Sequence, residues 1–141
     1  MNIKLLVFRV GEKWLAVVDG KGRGEYHKVK DLTFSPDSAR VAYRARVGSK
    51  WFVVLDGQAG TYYDGLGDLT FSPDGQRLAY GAQLGDRYFV VVEGQESEAY
   101  DSVVLSGAGG RIIFDTPDAL RFLAIRGDGI YSVDEAIQQE A

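Results

Sequence analysis

The sequence has no cysteine, a single histidine, three prolines and no long hydrophobic run. Without cysteine the chain forms neither a disulfide scaffold nor a thiolate zinc site. The longest apolar run near the N-terminus, Leu5 to Phe8, is far shorter than the hydrophobic segment of a signal peptide or a membrane span. One histidine and no cysteine leave few candidates for a nucleophile–base pair, so we expect no enzymatic activity.

The sequence also has no large excess of positive or negative charge. Sixteen lysines and arginines stand against 20 aspartates and glutamates, and the formal net charge is −4. This balance creates no field that favours nucleic acid or an anionic membrane, and we expect neither as a partner. No targeting segment is visible, so a cytoplasmic location is the default expectation. A chain of 141 residues, 45% of them hydrophobic, is long enough for one domain with a core.

The chain does contain an internal repeat with a period of 37 residues. The hexapeptide Leu-Thr-Phe-Ser-Pro-Asp at 32–37 recurs at 69–74, and about half of the aligned positions of the two full units are identical. A partial unit precedes them and a divergent partial unit follows. We therefore expect a single repeat domain over 1–141, with units at 3–31, 32–68, 69–110 and 111–133. A C-terminal tail at 134–141 is predicted to be helix-prone or frayed.

Each full unit predicts four short antiparallel strands. In the unit 32–68 these are residues 32–34, 40–47, 51–55 and 61–63, separated by turn signals of the Ser-Pro-Asp, Gly-Ser and Asp-Gly types. The third strand is continuously apolar and is expected to be buried on both faces. With three strands in each partial unit, the chain would contain fourteen strands. One such sheet cannot bury both faces alone, so like sheets are expected to stack.

Two segments carry a family resemblance. The segment Phe-Ser-Pro-Asp-Gly-Gln-Arg-Leu-Ala-Tyr at 71–80 resembles the TolB-type β-propeller repeat, a relative of the WD repeat. The pattern Trp-Phe-Val-Val-x-Asp-Gly followed by Tyr-Asp, at 51–64, is similar to a subgroup of that family found in bacterial proteins. The resemblance covers about 3–133. It implies an all-β fold of β-propeller blades, each with four antiparallel strands, at about 3.5–4 blades per chain.

The same resemblance implies a function. Members of the family mostly act as protein-interaction platforms, and ordinary members have six to eight blades in one chain. Because this chain holds about half of such a ring, we expect a homo-oligomer, with a dimer favoured, that closes a ring of seven or eight blades. A protein or peptide partner is also expected.

Polar and aromatic residues that recur with the period are the candidate partner-binding residues. They are His27, Asp64 and Asp101, each preceded directly by a tyrosine: Tyr26, Tyr63 and Tyr100. Equivalent positions in a propeller lie at the same distance from its axis. The side chains of His27, Asp64 and Asp101 would then form a polar ring that holds a metal or small ligand. The alternative interpretation is that they are ordinary turn residues. The tyrosines are placed near an outer or top edge, where tyrosine favours partner contact.

Two aligned basic sets and one aromatic set complete the pattern. Lys13, Lys50 and Arg87, with Arg9 and Arg46, form either a basic rim for an acidic partner or solvated hairpin charges. The aromatic residues at the starts of apolar strands are predicted to lie in the core between blades: Trp14, Trp51, Tyr88, Phe34, Phe71 and Phe114. The Gly-Ala-Gly-Gly run at 107–110 is predicted to be a connector between blades.

Three functions stay open on the sequence alone. The first, which we expect, is a non-enzymatic interaction scaffold that self-assembles into a ring and needs no cofactor. The second is a propeller that binds a small ligand or metal with residues around the central axis. The third is a hydrolase or lyase whose active site faces a channel.

Overall fold

The computed structural model describes residues 5–18, 21–104 and 111–137. Over these ranges the fold is all-β, as the sequence predicts. Sixteen strands in the described ranges form four antiparallel sheets, none of them closed. Within this part of the chain no helix is long and apolar enough to cross a membrane. The Gly-Ala-Gly-Gly run at 107–110 lies outside the described residues.

The four sheets follow one another along the chain. The first contains β1 (Leu5–Val10), β2 (Lys13–Val18) and β3 (Lys21–Tyr26). The second contains β4 (Lys28–Phe34), β5 (Val41–Val47), β6 (Lys50–Leu55) and β7 (Gln58–Ala59). The third contains β8 (Gly65–Leu66), β9 (Thr70–Phe71), β10 (Leu78–Leu84), β11 (Arg87–Val92) and β12 (Gln95–Glu96). The fourth contains β13 (Ser102–Val104), β14 (Ile113–Thr116), β15 (Ala119–Arg126) and β16 (Gly129–Ala136).

Interrupted first strands account for the difference from the fourteen strands expected. In the second sheet, β4 is continuous but its register with β5 shifts between Lys30 and Thr33, where Asp31 has a φ of 59°. Such a bulge kinks a strand. In the third sheet the corresponding stretch is divided into β8 and β9, which both pair with β10. In the fourth sheet β13 and β14 both pair with β15.

The predicted fourth strand at 61–63 is wrong. The short strand β7 pairs with β6 directly after the Asp-Gly turn, and the chain then leaves the sheet at Gly60. Only Tyr63 returns, through two backbone hydrogen bonds with Trp51 of 2.7 and 2.8 Å. The Asp-Gly turn places Gln58 and Ala59 directly beside β6. Continuous pairing with β6 therefore ends before residues 61–63, and Tyr63 contacts Trp51 only as an isolated bridge.

The hairpins follow the turn chemistry of the sequence. Gly48 and Gly85 each have a φ of +63° at the first central position of a two-residue hairpin, which is typical of a type II′ turn. Asp56 and Gly57 both have positive φ, at 51° and 85°, as a type I′ turn requires. Both turn types match the twist of the flanking strands.

Three hydrophobic cores lie between successive sheets. Alternation along β5 directs Tyr43 and Ala45 toward the first sheet and Ala42 toward the third. A third core joins the third and fourth sheets around Val90 and Phe122. Residues 52–54 of β6 are all buried, which confirms the prediction of a strand covered on both faces.

Four of the six predicted core aromatics pack as expected, whereas Phe34 is exposed and Trp51 belongs to none of the three described cores. Trp14, Phe71, Tyr88 and Phe114 each pack against one of the cores. Phe34 is 44% exposed, although Phe71, its equivalent 37 residues later, packs against the core between the second and third sheets. At the other end of the chain, Asp134–Ala136 belong to β16 and not to a helix.

Candidate functional site

The three recurring polar residues between sheets all hold a hairpin of the next sheet. His27 Nδ1 accepts a hydrogen bond from the backbone N–H of Gly48 at 2.7 Å. In the same way, Asp64 Oδ2 accepts a hydrogen bond from the N–H of Gly85, and Asp101 Oδ2 accepts one from the N–H of Gly127, both at 2.7 Å. These glycines begin the hairpins that join β5 to β6, β10 to β11 and β15 to β16. We call His27, Asp64 and Asp101 the hairpin anchors.

The backbone of each hairpin anchor is tied to the same hairpin. The N–H groups of the three residues donate to the carbonyls of Arg46, Gln83 and Ile125 at 2.8, 2.8 and 2.9 Å. The N–H of Gly85, and then Lys50, hold the pKa of Asp64 below its ordinary value of 3.8. The hairpin anchors therefore connect consecutive sheets through one side-chain and one backbone bond.

No metal site is formed at these positions. Among the residues described, no three His, Asp or Glu side chains are grouped so that they could hold a metal ion. One acceptor atom on each hairpin anchor is already occupied by a backbone N–H. A ligand role for the three residues stays a prediction.

The recurring tyrosines lie deeper than the sequence suggests. Tyr63 is 1% exposed and Tyr100 is 6% exposed, whereas Tyr26 is partly buried. The Tyr63 hydroxyl donates to Glu96 Oε2 at 2.6 Å, and burial followed by Glu96 raises the pKa of this hydroxyl. A tyrosine ring can fill a core while its hydroxyl reaches a polar partner. Contact of these residues with a partner protein stays a prediction.

Tyr62 is the exposed tyrosine of this region. It is 50% exposed, and its ring stacks on Phe52 with the two ring centroids 4.6 Å apart. This stack covers the outer face of the core that joins the first and second sheets, since Phe52 belongs to that core.

The two basic sets make local contacts at the hairpins. Arg9 Nε donates to the carbonyl of Gly11 at 2.9 Å, and an Arg46 guanidinium N–H donates to the carbonyl of Gly48 at 2.7 Å. Lys13 pairs with Glu25, and Lys50 pairs with the hairpin anchor Asp64. These contacts are exposed, so each is worth little to stability.

The Ser-Pro-Asp motif closes a turn through a buried serine. Ser72 is 0% exposed; its hydroxyl donates to Asp74 Oδ1 at 2.6 Å and accepts the N–H of Arg77 at 3.0 Å. Ser35 makes the same two contacts, at 2.6 and 2.9 Å. The motif that suggested the family is thus part of the architecture and leaves no free nucleophile at this serine.

Arg44 is a buried charge that the sequence analysis missed. It is 8% exposed, it forms an ion pair with Asp31, and Asp68 lies 3.6 Å away. One guanidinium N–H donates to the Leu66 carbonyl at 2.8 Å, whereas Nε has no hydrogen-bond partner within the described part of the chain. The position 37 residues later is Gly81, so this charge is not part of the repeat.

A cavity of about 700 Å³ lies between the outer parts of the third and fourth sheets. Its lining includes Val90, Glu93, Glu96, Glu135 and Ile137. Burial, followed by the nearby Glu98, raises the pKa of Glu135. The sequence contains no signal for this cavity, because the segment that holds Glu135 was predicted to lie outside the sheets.

Among the described residues, both end sheets carry exposed apolar side chains on their outward faces. In the first sheet Leu6, Phe8 and Val10 are 52%, 44% and 58% exposed. In the fourth sheet Ile130 is 68% exposed and lies opposite Ile125. The two middle sheets, by contrast, are packed against a core on both faces.

No protein-family model matches the chain, and no curated protein matches it at a significant level. The resemblance to the TolB-type repeat therefore rests on the residues at 51–64 and 71–80.

Proposed function

We propose that the protein is a non-enzymatic interaction scaffold of the β-propeller type, in which two copies form one closed ring. The observation that carries this proposal is the exposed apolar face of the first sheet, formed by Leu6, Phe8 and Val10, together with the exposed Ile130 of the fourth sheet. The recurrent polar residues support a structural role over catalysis, because their side chains bind the backbone of neighbouring hairpins.

The face on the first sheet has the character of a packing surface. Leu6 and Phe8 occupy the positions that Tyr43 and Ala45 occupy in the second sheet, 37 residues later, and there the two residues pack on the preceding sheet. Burial of apolar surface contributes roughly 25 cal/mol per Å². A continuous exposed apolar patch of this kind is typical of an association surface.

A second copy offers a matching surface. The outward face of its fourth sheet carries the partly buried Leu123 and Ile125 and the exposed Ile130, with the pair Arg121 and Asp134 on the same side. Contact of the first sheet of one copy with the fourth sheet of the other occurs twice about a two-fold axis. The arrangement then closes, and each of eight sheets gains a neighbour on both sides.

The molar mass in solution tests this proposal. Size-exclusion chromatography with light scattering is expected to give twice the chain mass of 15.5 kDa. Phe8→Glu and Ile130→Glu are each expected to return the mass to that of one chain, because a charge would be buried in an apolar contact. Leu84→Glu is the matched control, since Leu84 is 43% exposed at a hairpin outside both faces. A wild-type mass of one chain at micromolar concentration contradicts the ring.

A further inference from the structure

The second sheet carries four cations on one face of two neighbouring strands. The pairing of β4 with β5 places Lys28 opposite Arg46 and Lys30 opposite Arg44. Like charges directly opposite each other in a sheet are destabilising. Trp51 continues the row, because it lies opposite Arg46 on β6. We call Lys28, Lys30, Arg46 and Trp51 the basic ledge, whereas Arg44 is 8% exposed and pairs with Asp31.

The charges of the basic ledge are only partly compensated within the described chain. The carboxylates of Asp31 and Asp68 are used by Arg44, and no described carboxylate forms an ion pair with Lys28, Lys30 or Arg46. Lys28 and Lys30 are exposed, so they are accessible to a ligand. Partial burial, then Arg44 and Lys28, lower the pKa of Lys30, which reflects the crowding of positive charge.

Two of the cations, Lys30 and Arg46, also lie close to the ring of Trp51. Lys30 Nζ lies 4.8 Å from the centroid of the Trp51 ring, and the Arg46 guanidinium carbon lies 6.0 Å from it. Contact with an aromatic ring stabilises a cation in a low-dielectric setting and restricts its movement. The ring therefore helps to hold Lys30 and Arg46 on the ledge.

The equivalent strand pairing in the other sheets forms without these charges. In the third sheet the residues at the same register, 37 positions later, are Gly65, Gly67, Gly81 and Gln83, and the corresponding backbone pairing forms there without a cation. In the fourth sheet Ser102 pairs with Ile125 at the position of Lys28 and Arg46. The four cations are therefore specific to the second sheet, and strand pairing in the third and fourth sheets forms without them.

We propose that the basic ledge binds an extended acidic peptide of a partner protein, in which carboxylates alternate along the chain. The inference rests on the proposed scaffold function, for which it names the chemistry of the partner. Lys28 and Lys30 are two residues apart on one strand, and so share a face at a spacing of roughly 6.6 Å. Every second residue of an extended peptide has the same spacing, so consecutive carboxylates would meet consecutive cations.

An acidic peptide fits better than nucleic acid. Binding of nucleic acid depends on a broad positive surface, whereas this chain has a net charge of −4 and its positive charge is concentrated on one ledge. A short acidic segment needs only the ledge.

Fluorescence polarisation with a labelled octapeptide tests the proposal. The probe carries Glu at every second position, and the comparison peptide carries Gln there. At low ionic strength we expect the Glu peptide to bind about tenfold more tightly than the Gln peptide or better, with affinity falling as salt is added. Trp51 reports the same event, because in a Trp14→Phe variant its emission is expected to change when the Glu peptide is added.

A charge-matched pair of variants separates the ledge from general electrostatics. Lys28→Thr/Lys30→Thr is expected to weaken binding of the Glu peptide about tenfold or more, and to unfold at the same or a higher temperature, since repulsion is relieved. Arg111→Thr/Arg126→Thr removes the same charge elsewhere and is expected to leave binding unchanged. A melting curve for each variant shows that it is folded.

Several results would overturn the proposal. They are equal binding of the Glu and Gln peptides, equal loss of affinity in both double variants, or tighter binding of a single-stranded RNA octamer than of the Glu peptide. Competition by inorganic phosphate at micromolar concentration would show a small-anion site and would also overturn it. The molar mass of each sample distinguishes the two proposals. A single-chain mass together with peptide binding would contradict only the ring. A dimer that does not bind the peptide would contradict only the peptide site on the basic ledge.

Discussion

At the scale of single residues, the serines of the two Ser-Pro-Asp motifs stabilise turns. Ser72 and Ser35 each connect the two sides of a Ser-Pro-Asp turn by donating to an aspartate and accepting a backbone N–H. The residue types were evident in the sequence, but the burial of the serine was not, since a polar residue in a turn is usually exposed.

Ser72→Ala is expected to reduce the free energy of unfolding by about 1 kcal/mol, because it leaves the part-buried N–H of Arg77 without its acceptor. Urea denaturation followed by circular dichroism measures the change. Ser49→Ala is the control, as Ser49 lies exposed in a hairpin. A loss at Ser72 no larger than that at Ser49 would show that the serine bonds do not stabilise the turn.

Acid is expected to destabilise the protein through these turns. Hydrogen bonds from Ser35 and Ser72, followed by backbone N–H groups, hold the pKa values of Asp37 and Asp74 below the ordinary value of 3.8. The unfolded chain therefore binds more protons in this range than the folded chain does. The resulting stability is present above pH 3.8 and is lost as the pH falls below it.

Urea midpoints measured between about pH 6 and 2 test this expectation. Asp37→Asn/Asp74→Asn is expected to flatten the acid limb of the profile, and Asp128→Asn, in the hairpin between β15 and β16, is expected to leave it unchanged. If the urea midpoint of the double variant fell with pH as steeply as that of the wild-type protein, the acid sensitivity would come from other carboxylates.

At the scale of elements, the hairpins and their anchors decide how one sheet meets the next. The type of each hairpin was predictable, because Gly-x and Asp-Gly turns depend only on local backbone preferences. The contact of His27, Asp64 and Asp101 with those hairpins was not predictable, because each bond joins residues more than twenty positions apart. The 37-residue alignment nevertheless grouped the three residues correctly as equivalent.

Asp64→Ala is expected to lower stability slightly and to speed amide hydrogen exchange at Gly85, whose N–H loses its acceptor. Exchange monitored by NMR measures both the local and the global effect. Asp64→Asn keeps an acceptor oxygen and is expected to protect Gly85 more than alanine does. Unchanged exchange at Gly85 in Asp64→Ala would remove the anchor role.

At the scale of the whole molecule, the two middle sheets are packed on both faces and the first sheet on one. Stability in such a row comes from each sheet and from its contacts with its neighbours. The first sheet therefore has fewer contacts that must break before it opens.

Amide exchange is expected to be faster at Ala16 in β2 than at Val91 in β11, although both residues are buried. The measurement is native-state exchange at low protein concentration, where a dimer dissociates. At high concentration the difference is expected to shrink in the wild-type protein and to persist in Phe8→Glu. Equal protection at all concentrations would contradict independent opening of the first sheet.

The sequence alone determined the all-β class, the position of most strands and the turn types, because alternation and turn propensity act over a few residues. It misplaced the fourth strand at 61–63 and the exposure of Phe34, which depend on what lies beside each strand. Only the tertiary structure decided that Tyr63 and Tyr100 are buried and that Lys28 and Lys30 face Arg46 and Arg44 across paired strands. The physical reason is that burial and cross-strand pairing are properties of residues brought together by folding, and a repeat in sequence records equivalence but not contact.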